Sequence, residues 1–171
     1  MALQFVHYLL FALFPAALAY AAASDLLTLT IPNRLVLAIA LLFVVLWPLS
    51  GQGWADFGMH FLAGAAVLVL GFACFAFGWI GGGDAKLAAV IALFLGAENA
   101  IEFVGLASIF GGVLTVALLG FRRVPVPAFI IRQPWVQRLH DRETGVPYGI
   151  ALAVAALAIY PHSVWMGIAV G

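Results

Sequence analysis

Asp25 and Asp84 are the two residues of this chain whose setting points to chemistry. Each directly follows a long apolar segment, in a chain of 171 residues with only seven acidic side chains. An acid near hydrocarbon is costly and is a functional candidate by default. Two carboxylates brought close cannot readily both ionise, so they share a proton. The charged member then takes a proton from water, which attacks a peptide carbonyl. The protonated member polarises the carbonyl oxygen and later helps the amine leave. An aspartate at a helix end also serves as a simple cap, and spacing alone leaves both readings open. The other acids have plainer settings. Asp56 lies in a short loop, and Asp141 and Glu143 lie in a longer one. Glu98 and Glu102 stand four apart at the start of an apolar segment, where a helix start favours acids.

The elements that must position this pair are membrane helices. The chain is 66% hydrophobic and 8% charged, against about 25% charged residues in a soluble domain. In lipid every backbone polar group must be satisfied internally. The apolar runs do not alternate, so they predict helices rather than a barrel. A crossing needs about 20 apolar residues. Leu3–Ala23, Asn33–Leu49, Gly58–Trp79, Ala100–Phe121 and Val146–Tyr160 are read as spans, the last running on toward Trp165. Lys86–Ala97 is just long enough for a short or tilted span. The sequence thus predicts an all-α polytopic membrane protein, a bundle of about six transmembrane helices.

Charge sets the orientation. With six alternating helices, Arg34, Lys86, Arg122, Arg123, Arg132, Arg138 and Arg142 fall on one side, while Gly51–Phe57 and Glu98–Asn99 carry no Lys or Arg. Basic residues collect in cytoplasmic loops, so both termini are expected outside the cytoplasm, and Asp25 and Asp84 at its edge. Ala16–Ala23 is rich in small residues, as a signal-peptide cleavage region is. No Lys or Arg precedes that apolar run, which favours a retained span.

Local signals refine the elements. Pro32 suits a helix start, and Asp25–Ile31 is expected to form a non-helical turn. Gly64, Gly71 and Gly78 recur every seven residues, as do Gly105 and Gly112, which predicts close helix packing along two small-residue stripes. Gly81, Gly82 and Gly83 are expected to end the third span, with Asp84 ahead of the fourth. Residues 122–145 form the one long loop, whose arginines interleave with Phe129, Ile130, Ile131, Trp135 and Leu139. Such a mix suits either an anionic membrane surface or an ordinary cytoplasmic loop, and Pro134 interrupts any long helix there. Net charge is zero, with no basic face for nucleic acid. Cys74 is a single thiol, and His7, His60, His140 and His162 show no metal-ligand spacing.

The run Gly81-Gly82-Gly83-Asp84 resembles the G-x-G-D signature of intramembrane aspartyl proteases. Extended through Lys86 and Leu87, it resembles the form found in type IV prepilin peptidases. Ser24-Asp25 followed by Ile31-Pro32-Asn33 is similar to that family's first-aspartate segment, and VPYGIAL from Val146 to the start of its last helix. The resemblance implies an endopeptidase of the bacterial inner membrane that removes the leader of prepilin or pseudopilin subunits at the cytoplasmic membrane edge. It implies Asp25 and Asp84 as the catalytic pair, with Gly81, Gly83, Lys86 and Asn33 supporting the site, and neither metal nor cofactor. The amino-terminal region with paired CxxC motifs, which accompanies N-methylation in longer members, has no counterpart here. A single peptidase domain over residues 1–171 without a methyltransferase domain is expected, similar to the short forms of tight-adherence (Flp) pilus systems. Archaeal preflagellin peptidases share the same chemistry.

Two readings from other classes compete. A proton-coupled transporter subunit wants an acid near the bilayer midplane, and no mid-helix acid is present. A non-enzymatic assembly factor of a pilus or secretion system leaves the aspartate pair without a purpose.

Overall fold

A computed structural model describes residues 2–170, with side chains described between residues 12 and 167 except at 128; the side chain of His7 lies outside that range. Nine helices and no strand occur among the described residues. Six long elements carry the bundle. They are α1 (Ala2–Thr28), α2 (Asn33–Leu46), α3 (Trp54–Ala76), α4 (Gly82–Leu95), α5 (Ala97–Phe121) and α8 (Tyr148–Ile159). The long loop folds into two short helices, α6 (Ala128–Ile131) and α7 (Pro134–His140), and α9 (Val164–Val170) ends the chain. As expected, no long helix runs through Pro134, which instead begins α7 at a position where its missing N–H costs nothing.

Helices α3 and α5 are long and apolar enough to cross a membrane. Their outward faces carry exposed Leu62, Val69, Leu70, Ile101, Ile109 and Val116, a surface that water would penalise. The weakest expected span, α4, is the central post. It packs on α2, α3, α5 and α8, and Ala85, Leu87, Ile91, Ala92, Phe94 and Leu95 are all buried. A helix wrapped by protein needs neither the length nor the unbroken hydropathy that lipid demands, which explains its faint signal in the sequence.

Close packing of α3 on α4 depends on two glycines of the expected stripe. A Cβ on Gly64 would lie 2.9 Å from Leu93 Cβ, and one on Gly71 would lie 3.0 Å from Ala85 Cβ. Gly78 has a different role. It sits past the end of α3 at φ +74°, where only glycine is unstrained, and it turns the chain toward α4. The stripe on α5 is off by one position. Gly105 and Gly112 face open space, whereas Gly111 takes the ring of Tyr148, with Cε1 2.5 Å from its would-be Cβ.

Two helix boundaries also differ from expectation. Helix α1 continues through Asp25 to Thr28 instead of ending before it. Thr28 Oγ1 donates to the Ser24 carbonyl at 2.7 Å, and Ser24 Oγ donates to the Thr30 carbonyl at 2.9 Å. These hydroxyls satisfy backbone oxygens and carry the helix one turn further; the chain then leaves through Leu29 at φ +53°. Pro32 is the cap just before α2, in extended geometry. At the other boundary, Gly82 and Gly83 do not end α3 but form the first turn of α4, and Asp84 lies inside it.

At the end of the bundle remote from Asp84, aromatic rings lock several helices together. Phe14 of α1 stacks on Phe94 of α4 at 3.9 Å. Trp165 Nε1 donates to the Phe94 carbonyl at 2.6 Å and so fixes α9. Gly64→Val should test the α3–α4 contact. Overpacking there is expected to cost about 1–3 kcal/mol, read as a lowered thermal midpoint in detergent, whereas Gly105→Val leaves the midpoint in place. Equal losses in both variants would contradict the packing described.

Candidate active site

The C-terminal turn of α1, the N-terminal turn of α4 and the N-terminus of α8 meet around two carboxylates. Asp25 is 5% exposed. Its Oδ2 accepts the backbone N–H of Gly149 at 2.6 Å, across 124 residues of chain. Gly149 lies in the first turn of α8, where backbone N–H groups have no partner within the helix. Its positive dipole end also favours an anion. Only glycine fits there, since a Cβ at 149 would stand 2.8 Å from Asp25 Oδ2 and 2.9 Å from Asp25 Cβ.

Asp84 is half-buried and held in a matching way. Its Oδ2 accepts the backbone N–H of Gly81 at 3.2 Å, at the start of α4. A Cβ on Gly81 would come within 2.9 Å of that oxygen, so a larger residue there would push the carboxylate aside. Gly83 brings α4 against the 29–32 turn, with Ile31 Cβ 3.4 Å from its would-be Cβ. Asp25 lies close enough to Asp84 for its charge to act on it. Among the described residues, each carboxylate is held through Oδ2 by one backbone N–H from a helix start. Oδ1 of each is left for other partners.

The two further candidates are brought together near the pair. Lys86 Nζ donates to Asn33 Oδ1 at 3.1 Å and so ties the start of α2 to the first turns of α4. Lys86 therefore braces α2 against α4. All six residues singled out in the sequence (Asp25, Asn33, Gly81, Gly83, Asp84 and Lys86) thus belong to one end of the bundle.

Sequence reasoning missed how the loop supports this end. Arg122, read only as one of the basic loop residues, is buried. Its Nε donates to the Leu139 carbonyl at 2.8 Å, and its Nη2 donates to the Thr144 carbonyl, Thr144 Oγ1 and the Gly145 carbonyl at 3.0, 3.1 and 3.0 Å. The guanidinium clamps the strand of chain that leads into Val146–Gly149. Tyr148 adds a second hold, with its ring on Gly111 and its hydroxyl 3.3 Å from Thr115 Oγ1. Arg138 donates to the Leu27 carbonyl and ties α7 to the end of α1. The motif VPYG was visible in the sequence. Its contact with Asp25 was not, because nothing local announces a partner 124 residues away.

The fold and site together define an all-helical protein with membrane-capable helices and a paired-carboxylate site at one end of its bundle. Residues 12–116 match the model of the type IV leader peptidase family. That is more than half of the chain, and the chain belongs to this peptidase family. The matched segment contains Asp25, Asn33, Gly81, Gly83, Asp84 and Lys86, and stops short of Arg122 and Gly149. No curated protein and no solved structure matches the chain.

Gly149→Ala should displace the Asp25 carboxylate while leaving the helices intact. Peptidase activity is expected to fall about 100-fold, the scale of loss for a roughly 1 Å misplacement, with helical content by circular dichroism unchanged. A wild-type rate in this variant would show that the Gly149 contact does not matter.

Proposed function

We propose that this protein is an intramembrane aspartyl endopeptidase that cleaves the leader from prepilin-like subunits, with Asp25 and Asp84 as its catalytic pair. The observation that carries the reading is the matched seating of these acids. Each is held through Oδ2 by a backbone N–H at a helix start, with Asp25 near enough to influence Asp84. Both lie within the segment matched to the leader peptidase family.

The chemistry follows from the pair. One carboxylate is ionised and one protonated. Oδ1 of the ionised member takes a proton from a water molecule, whose oxygen adds to the scissile carbonyl. The protonated member donates its hydrogen bond to the developing oxyanion. When the C–N bond breaks, the proton gained by the first carboxyl passes to the departing amine. The helix-start N–H groups fix both carboxylates before substrate arrives, so little reorganisation is needed in the transition state.

Six spans, α1 to α5 and α8, make up the membrane domain in this reading. Arg34 at the start of α2, Lys86 in the first turns of α4 and the arginines of the 122–145 loop lie on the cytoplasmic side, and both termini lie opposite. The protein is then a multi-pass component of the bacterial inner membrane. The substrate is a single hydrophobic helix with a short leader. Its helix lies among these spans in lipid, and its leader emerges beside Asp25 and Asp84 at the cytoplasmic edge. The reaction needs only the two carboxylates and a water molecule.

Asp25→Asn and Asp84→Asn are each expected to lower cleavage of a co-expressed prepilin-like subunit by at least about 1000-fold, as losing one member of a unit that acts together does. Membrane insertion and thermal stability remain near those of the parent. Normal processing by either variant would reject the pair. Crosslinking that places the leader on the non-cytoplasmic side would reject the orientation.

A further inference from the structure

The end of the bundle remote from Asp25 and Asp84 holds a cavity of about 440 Å³, which the peptidase reading does not use. It opens between the start of α3, the α4–α5 corner at Gly96, and the segment joining α8 to α9. Its polar wall is made by Gln52, Asp56, His60, Glu98, Asn99, His162 and Ser163, and no Lys or Arg contributes among the described residues.

Three of the wall groups, His60, Asn99 and Ser163, spend a donor on the backbone and keep an acceptor. His60 Nδ1 lies 2.9 Å from the Leu93 carbonyl. A carbonyl only accepts, so Nδ1 carries the hydrogen, and Nε2 of the neutral ring is an acceptor. Asn99 Nδ2 donates to the Leu95 carbonyl at 2.9 Å, and Ser163 Oγ donates its single hydrogen to the Tyr160 carbonyl at 2.6 Å. His60 is 8% exposed, yet its Nε2 has no hydrogen-bond partner among the described residues. The His60 ring packs directly on Gly96, where a Cβ would lie 2.6 Å from Nε2. Asp56 Oδ2 holds the Gly53 N–H at 3.1 Å, which leaves Oδ1 uncommitted.

The carboxylates Asp56 and Glu98 set the charge of this wall, and with His60 Nε2 they suit a donor-rich cation. Among the described residues, no three His, Cys, Asp or Glu side chains converge as metal ligands, which favours an organic cation over a metal ion. Met59, Leu95 and Val164 also line the cavity and suit methylene groups. We propose that this cavity binds an alkylammonium group, with Glu98, Asp56 and His60 Nε2 as its acceptors. The ammonium can belong to a free amine or to a phosphoethanolamine headgroup, whose phosphate must stay outside the two carboxylates. The proposal does not rest on the peptidase reading, because it concerns the opposite end of the molecule.

The test uses the full chain in phosphatidylglycerol nanodiscs, with thermal unfolding followed as 1,4-diaminobutane is added against NaCl of matched ionic strength. A saturable rise in midpoint is expected, as for any ligand that binds only the folded state. Glu98→Gln should weaken it at least about tenfold, the scale of one charge-assisted hydrogen bond, and His60→Gln should weaken it as well. Asp25→Asn should leave it unchanged. Nanodiscs of phosphatidylethanolamine without free amine form the second arm. A Glu98-dependent stabilisation there, with no further gain from diaminobutane, assigns the headgroup; stabilisation only on adding diaminobutane assigns the free amine. No gain beyond NaCl in either arm, or an unchanged response in the exposed Glu98→Gln variant, overturns the proposal.

Discussion

The hydrogen bond from Gly149 N–H to Asp25 Oδ2 is the constraint around which the candidate site is arranged. At 2.6 Å it joins the end of α1 to the start of α8, two elements otherwise far apart in the chain. A hydrogen bond to a buried charged acceptor contributes about 1.5–3 kcal/mol, enough to fix the rotamer of one short side chain. Asp25 needs that help. It sits in the last turn of α1, where the helix dipole is unfavourable to an anion, and the N-terminus of α8 offsets this. The clamp of Arg122 on Thr144 and Gly145, and the packing of Tyr148 on Gly111, hold α8 in the position that makes the contact. The long loop thus sets the geometry of an aspartate that lies about a hundred residues before it.

Helix α4 plays the complementary part for Asp84. Its first turn carries the acid, its body is covered by α2, α3, α5 and α8, and its far end turns sharply at Gly96 into α5. Because Gly64 and Gly71 let α3 lie directly on it, a shift of α4 would have to break a tightly packed interface. The two carboxylates are therefore presented by rigid elements rather than by a mobile loop. That is the arrangement a reaction dependent on preorganised charge requires.

Much of this was legible in the sequence because membrane helices write their boundaries in hydropathy and glycine. The apolar runs mark the six long helices within a few residues, and the motifs themselves single out Asp25, Asn33, Gly81, Gly83, Asp84 and Lys86. The errors have physical causes. Ser24 and Thr28 satisfy carbonyls with their hydroxyls and extend α1 past Asp25, which a rule based on charge and proline overlooks. Asp84 satisfies the Gly81 N–H and lets two glycines enter a helix, against their usual reputation as breakers. Gly111, not its neighbour Gly112, meets Tyr148, since a periodic stripe states spacing but not which face finds a partner. Arg122 was hidden because a buried arginine and a lipid-facing one look alike in a linear loop.

The central claim is that Asp25 and Asp84 act as one unit, and the most direct measurement compares their single and double variants. Purified Asp25→Asn, Asp84→Asn and the double variant would be assayed at excess enzyme on a prepilin-like substrate in nanodiscs, with cleavage followed by mass spectrometry. If the two carboxylates share one catalytic task, the three residual rates coincide, because removing either already removes the whole contribution. A double variant slower than both singles by the product of their separate losses would mean that the two aspartates act independently, and would contradict the account.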